Sequence, residues 1–270
     1  MTDVYNTIDT ASRQQVEQLA AILELRAADP QQRAMLRAYL ERIDFPARAR
    51  VVEVGCGTGP VARVLAQIPD VGAVIGIDPS PVLLGRARQL AANQCKLTFR
   101  ESSAEALPLT DASQDVVVFH TSLCHLTDPA AALHEAFRVL VPGGWLAVFD
   151  GDYASTTFGT DDLDPLQLCA ASFRRAFIHD SWLARRAPGL AEGAGFTVRD
   201  FRTFSYSETR PDYLLSVVDR GAEALAEEGV IGRELAAAMK GEARQRTRKG
   251  RFFGQIGYAA LIARKPASEG

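Results

Sequence analysis

Val51-Val52-Glu53-Val54-Gly55-Cys56-Gly57-Thr58-Gly59-Pro60 decides the fold of this 270-residue chain. The apolar run at its start reads as a short buried strand. Three glycines in five positions make a tight turn, and Pro60 opens a helix at once. Glycine lets backbone bend sharply and approach a ligand closely. About 20 residues later, Gly76-Ile77-Asp78-Pro79-Ser80 ends a second strand, with Asp78 at its tip, placed to accept both hydroxyls of a ribose. The spacing is Gly-x-Gly-x-Gly, and Pro60 follows the third glycine, so the G-x-G-x-x-G phosphate fingerprint is absent. Glu53 lies two residues before the first glycine. A carboxylate there repels a pyrophosphate and suits a ligand carrying an ammonium and a sulfonium.

Outward from this stretch the chain alternates strand and helix. Two helices precede it, one opened by Ser12 and Gln15, the other by Asp29 and Pro30. After it come a helix over 60–68, a strand over 73–77, a helix from Ser80 to about residue 92 and a strand over 96–101. A fourth strand over 115–119, a helix opened by Asp128-Pro129 and a fifth strand over 145–149 complete the series. Continuous apolar strands between amphipathic helices mean a parallel sheet covered on both faces. Later, 181–192 reads as helix broken in two by Pro188, 194–204 as a strand and 256–263 as the last strand. Residues 211–250, mostly helical in pattern, are far too long for a hairpin and must pack somewhere.

Composition narrows the function. Hydrophobic residues make up 47% and charged residues 23%, so an ordinary core forms without disulfides or metal. The net charge of -3 argues against a protein whose main task is holding nucleic acid or an anionic membrane. No apolar run reaches the roughly 18 residues of a membrane span, and the first residues have neither the basic nor the apolar part of a secretory signal. The four cysteines are scattered, which suits reduced thiols in the cytoplasm and no zinc site.

The chain resembles the class I S-adenosylmethionine-dependent methyltransferases, in particular the small-molecule group that includes the ubiquinone/menaquinone C-methyltransferases. The resemblance runs from about residue 50 to 150. Its motifs are the glycine turn, 76–80, Ser103-Ala104-Glu105-Ala106-Leu107-Pro108, Asp115-Val116-Val117-Val118 with His125 and Asp128-Pro129, and Arg138-Val139-Leu140-Val141-Pro142-Gly143-Gly144. It implies a Rossmann-like, doubly wound α/β sheet of seven strands, the last antiparallel, with S-adenosylmethionine as cofactor and no metal. It also implies roles by position. Glu53 and the Gly55, Cys56 and Gly57 backbone hold the methionine end, and Asp78 the ribose. Pro79, Ser80 and Leu83 face the adenine, and Ser103, Ala104 and Glu105 meet its edge. His120 and Thr121 lie beneath the sulfonium, with His125 nearby. The family often has Asp where this chain has Ser103, so the Ala104 backbone is expected to share that contact.

Other readings stay beside these. Asp78 alternatively caps the next helix, and His125 alternatively bonds nearby backbone. Arg26 reaches the cofactor carboxylate if the first helices cover the site. The division expected is 1–45 as a helical cap segment, 46–204 with 252–270 as the core, and 205–251 as a helical cap insertion over the sheet's C-terminal edge. His120 and His179 are the candidate bases. Tyr5, Phe158, Phe173, Phe177, Trp182, Tyr206, Phe252 and Tyr258 are the candidate acceptor wall, with Phe253 beside them. Such a wall suits a planar, largely apolar metabolite methylated at oxygen, nitrogen or carbon, by a cytoplasmic monomer or homodimer. The rivals are a nucleic-acid or protein methyltransferase, and a non-methylating protein that keeps the fold and cofactor. Phe119-His120-Thr121-Ser122 replaces the Asn-Pro-Pro-Tyr type of base-modifying enzymes, and the cationic run 244–251 reads as a solvated helix end.

Overall fold

A computed structural model describes residues 13–208 and 212–267. Helices α1 (Arg13–Ala28) and α2 (Pro30–Leu40) come first. The Asp29 carboxylate accepts the backbone N–H of Gln31 and Gln32, and Pro30 takes the first helical position, where no donor is missed. The Ser12 cap lies outside the described residues. Then follow β1 (Ala49–Val54), α3 (Pro60–Leu65), β2 (Val71–Asp78), α4 (Pro81–Leu90), β3 (Leu97–Glu101), β4 (Gln114–His120), α5 (Pro129–Val139) and β5 (Leu140–Thr157). The last third is α6 (Leu166–Phe177), α7 (Leu183–Gly193), β6 (Thr197–Glu208), α8 (Tyr213–Glu227), α9 (Arg233–Arg248) and β7 (Gly254–Arg264).

The seven strands form one sheet in the order β3-β2-β1-β4-β5-β7-β6. The first five are mutually parallel, and β7 runs antiparallel between β5 and β6. The expected doubly wound, seven-stranded sheet is therefore present. Val51, Val52, Val116, Val117 and Val118 are sealed from solvent, because helices cover both faces. The strand order reverses between β1 and β4, and a crevice opens there beyond the carboxyl ends of the strands. Val54 pairs with Ile77 on one side and Phe119 on the other, so the glycine turn, Asp78 and His120 emerge at nearly one level.

Two expectations fail locally. Pro188 does not break α7, which runs unbroken from Leu183. Proline removes one helical hydrogen bond, and the buried Leu183, Ala184, Ala187 and Ala191 hold both halves in register. β5 is also far longer than 145–149, because β7 pairs along it from Trp145 to Thr157.

α8 packs on α6 at very short range. A Cβ on Gly221 would lie 2.1 Å from the Cys169 carbonyl oxygen, so only glycine fits there. α9 lies outside α8, tied by Arg244–Asp219 and Lys240–Glu223 pairs. Arg246 of the cationic run pairs with Asp164 and Glu242.

Candidate functional site

The glycine turn is built by backbone that other residues resist. Gly55, Gly57 and Gly59 have φ of 73°, 55° and 74°. Asp78 ties the turn to the tip of β2, its Oδ2 accepting the Gly57 N–H at 2.8 Å and its Oδ1 the Ser80 N–H at 2.9 Å. Two such bonds do not exhaust a carboxylate's acceptor capacity. Glu53 is 2% exposed, and its Oε2 is buried with no hydrogen-bond partner. Burial, with the nearby Asp78 charge, pushes its pKa up to about 8, against the pull of the Ala62 N–H, Arg63 and Arg26. An orphaned carboxyl oxygen at a strand end is suited to a cationic donor.

These groups surround a cavity of about 100 Å3. It gathers Arg26, Glu53, Gly55, Cys56, Gly57, Asp78, Pro79, Leu83, His120, Thr121 and His125, as the sequence suggests. Ser80 stands outside it, with its hydroxyl capping α4 at the Leu83 N–H. Ser103, Ala104 and Glu105 do not line it either. The Ser103 hydroxyl donates to the Glu105 carboxylate, and Ala104 is buried.

α1 occupies much of the space above the turn. A Cβ on Gly57 would lie 2.8 Å from Leu23 Cδ1, and Val16 and Leu19 pack on Leu83. Glu24 fixes the helix by accepting from Thr58 Oγ1 at 2.6 Å and Arg63 at 2.7 Å. Small-molecule pockets usually measure about 300–1,000 Å3, and a larger cavity of about 530 Å3 between α1, α2 and α3 adjoins this one through Leu23, Arg26, Pro60, Val61 and His120.

Arg26 reaches from α1 to the sheet edge, donating to Thr121 Oγ1 at 2.6 Å. Thr121 has φ of 53°, strained for a β-branched residue, where β4 ends. Beside it, the His120 ring stacks on Phe149 at 4.7 Å, with Nδ1 3.0 Å from the Tyr39 hydroxyl. Burial, and then the Arg26 charge, hold the His120 pKa well below its ordinary value, so the ring is neutral. Burial raises the Asp150 pKa, against the pull of Cys124 and His125, and its carboxylate accepts the Cys124 and Gly151 N–H groups at 3.1 and 2.8 Å.

A second, inner cavity of about 20 Å3 adjoins the first through Leu23, Arg26 and His125. Phe173 and Phe177 line it as expected, joined by Tyr153, Tyr213 and Arg220. Sequence reasoning missed these last three. A signal was present, because Tyr213 and Arg220 stand seven apart, on one face of a helix. The rest of the expected wall lies elsewhere. Phe158 and Phe252 pack on each other in the core, and Tyr258 stacks on Phe149 at 5.1 Å. Tyr206 is sealed, its hydroxyl donating to Asp29 at 3.2 Å. His179 and Trp182 are exposed and line neither cavity, because the chain turns outward after α6 and is pinned by the Asp180 N–H to the Cys124 carbonyl. Phe253 is also exposed, and Tyr5 lies outside the described residues. Among the described residues no group of His, Cys, Asp or Glu could hold a metal ion. No helix among them is long and apolar enough to cross a membrane.

Residues 52–148 match the family model of a methyltransferase domain. Over 240 residues the chain is 30% identical to Methyltransferase GfsG of Streptomyces halstedii, an alignment covering 86% of this chain and 80% of that one. This chain belongs to the S-adenosylmethionine-dependent methyltransferases. It is also 32% identical over 167 residues to an uncharacterized 37.1 kDa protein in transposon TN4556 of Streptomyces fradiae. That alignment covers 62% of this chain and 48% of the relative, so the chain spans about half of that protein's length. Among solved structures, the [4+2]-cyclase SpnF superposes with a TM-score of 0.56 at 25% identity, covering 88% of this chain and 82% of that one. The site fits the family's cofactor. Gly55 and Gly57 border the cavity with backbone alone, Asp78 suits ribose hydroxyls, and the orphaned Glu53 oxygen suits an ammonium.

Proposed function

We propose that this methyltransferase modifies a small, aromatic or apolar acceptor held in the inner cavity. The observation that carries the reading is the junction at Leu23, Arg26 and His125, where the cofactor cavity meets a space walled by Tyr153, Phe173, Phe177 and Tyr213; at about 20 Å3 it has the room of a single water, so α1 and α8 have to part before an aromatic ring enters. S-adenosylmethionine supplies a methyl group on a positively charged sulfur, an electrophile that needs little further activation. The protein's work is then mainly positioning and the exclusion of water. Aromatic rings hold the acceptor's face, while α1 and α8 close over it, which supports the cap roles of 1–45 and 205–251. His125, which lines both cavities, takes the proton from an oxygen acceptor. His120, whose charged form is penalised by burial and by Arg26, is poorly suited to take a proton and serves to position groups beside Tyr39. Four free cysteines support work in the reducing cytoplasm.

The test is incubation with methyl-labelled S-adenosylmethionine and a panel of aromatic metabolites, alongside RNA and protein fractions. Label in a small molecule that gains one methylene in mass supports the proposal. Label confined to RNA or protein, or cofactor binding with no transfer to any fraction, contradicts it and favours one of the two rivals.

A further inference from the structure

One charged group of the inner cavity is left unexplained by cofactor binding and proton transfer. Arg220, on α8, lays its guanidinium over Phe177 at 3.9 Å from the ring centroid and over Phe173 at 5.1 Å. Stacking fixes the plane of the group but uses none of its in-plane N–H donors. Its Nη2 is sealed from solvent and has no hydrogen-bond partner. The neighbouring carboxylates of α8 are engaged elsewhere. Asp219 binds Arg244 through two bonds of 2.8 and 2.6 Å, and Glu223 binds Lys240 at 3.0 Å. A buried guanidinium donor without an acceptor is costly to keep, and this one lies in the wall of the compartment assigned to the acceptor.

We infer that Arg220 anchors a carboxylate on the acceptor, so that the substrate is a planar aromatic acid. The inference rests on the methyl-transfer reading for its orientation. Arg220 lines the inner cavity and not the cofactor cavity, whereas Arg26 and His125 line both. Once α1 and α8 part to widen its present volume of about 20 Å3, the compartment has an anchoring end at Arg220 and a reacting end at Arg26 and His125. No carboxylate is among the described residues lining it, and two guanidiniums are. A planar fork engages a carboxylate through two parallel bonds, which a point charge or a neutral amide does not reproduce. A neutral carbonyl accepts only one of those bonds and without charge assistance, so the cavity favours the anion.

The probe is calorimetric titration of S-adenosylhomocysteine-saturated protein with salicylate, cinnamate and naphthoate, each against its primary amide. In the wild type, at least one acid should bind roughly tenfold or more tighter than its amide. Arg220→Met keeps the stem over the rings and should abolish that preference, with S-adenosylhomocysteine affinity unchanged. If Arg220→Met does not fold, Arg220→Lys serves, and the preference should fall by roughly threefold or more. Equal binding of acid and amide in every pair, or a preference that survives both substitutions, overturns the anchor. Failure of the wild type to bind S-adenosylhomocysteine at all would instead overturn the cofactor reading beneath it, so the two failures are distinct.

Discussion

The two halves of the site are built in different ways. The cofactor half is local: Glu53, the glycine turn and Asp78 span 26 residues and meet because two adjacent parallel strands end together. The acceptor half is assembled at long range, from Arg26 on α1, Tyr153 on β5, Phe173 and Phe177 on α6, and Tyr213 and Arg220 on α8. The first depends on backbone conformation and the second on helix docking. They should therefore respond separately to substitution.

The largest effect should come from Gly55→Ala. The substitution forces a side chain into φ of 73° and puts its Cβ 2.5 Å from Ser122 Cβ. It should cost about 2–4 kcal/mol of stability and most of the cofactor affinity, read by denaturant unfolding and calorimetry. Asp78→Ala comes next. It removes an acceptor from the ligand and also frees the Gly57 and Ser80 N–H groups. Affinity for S-adenosylhomocysteine should weaken by about 1.5–3 kcal/mol, roughly ten- to a hundredfold. Unchanged affinity would remove Asp78 from the site.

Gly221→Ala tests the other half. Its Cβ must push α8 away from the Cys169 carbonyl, at a cost of about 1–3 kcal/mol in stability. The inner cavity should deform, while S-adenosylhomocysteine affinity stays within about threefold of wild type, because α8 lies outside the cofactor cavity. An equal loss of both functions would show that the halves are one cooperative unit.

The sequence exposed these halves unequally for a physical reason. A turn that needs three left-handed glycines announces itself within five residues, and a strand-end acid follows at a fixed distance. Parallel order is equally legible from the alternation of strands and helices, whereas the antiparallel β7 comes only with the family resemblance. Helix docking leaves no such local mark. Val16, Leu19 and Leu23 read only as an apolar stripe, and nothing in their spacing says that they lie on Leu83 and the glycine turn. Aromatic residues near the sheet mouth looked alike in sequence. The fold sends Phe158 and Phe252 to the core, Trp182 to solvent and only Phe173 and Phe177 to the cavity. Arg220 was read merely as part of a long helical insertion, since its value depends on two rings of another helix.

The smallest effect concerns Glu53 and sharpens the chemistry of the cofactor half. With a pKa raised to about 8, its carboxyl is mostly protonated at pH 7 in the free protein. An ammonium placed against it favours the anion, so binding should release close to one proton. Calorimetry at pH 7 in two buffers of different ionisation enthalpy measures that number. The sign for stability follows from a folded value above the ordinary 4.5. The contribution of Glu53 is fully present below the unfolded value and is lost as pH rises through about 8. Glu53→Gln should flatten that decline in melting temperature and abolish the proton release.

On this reading α1 covers a cofactor site whose reacting end opens on the aromatic compartment. A crystal structure with S-adenosylmethionine bound tests it most directly. The expected structure has ribose hydroxyls on Asp78, the ammonium at Glu53, Leu23 displaced from Gly57, and the sulfonium methyl facing the cavity of Tyr153, Phe173 and Tyr213. A cofactor bound away from Asp78, or a methyl turned to the opposite side of His120 with α1 unmoved, would contradict it.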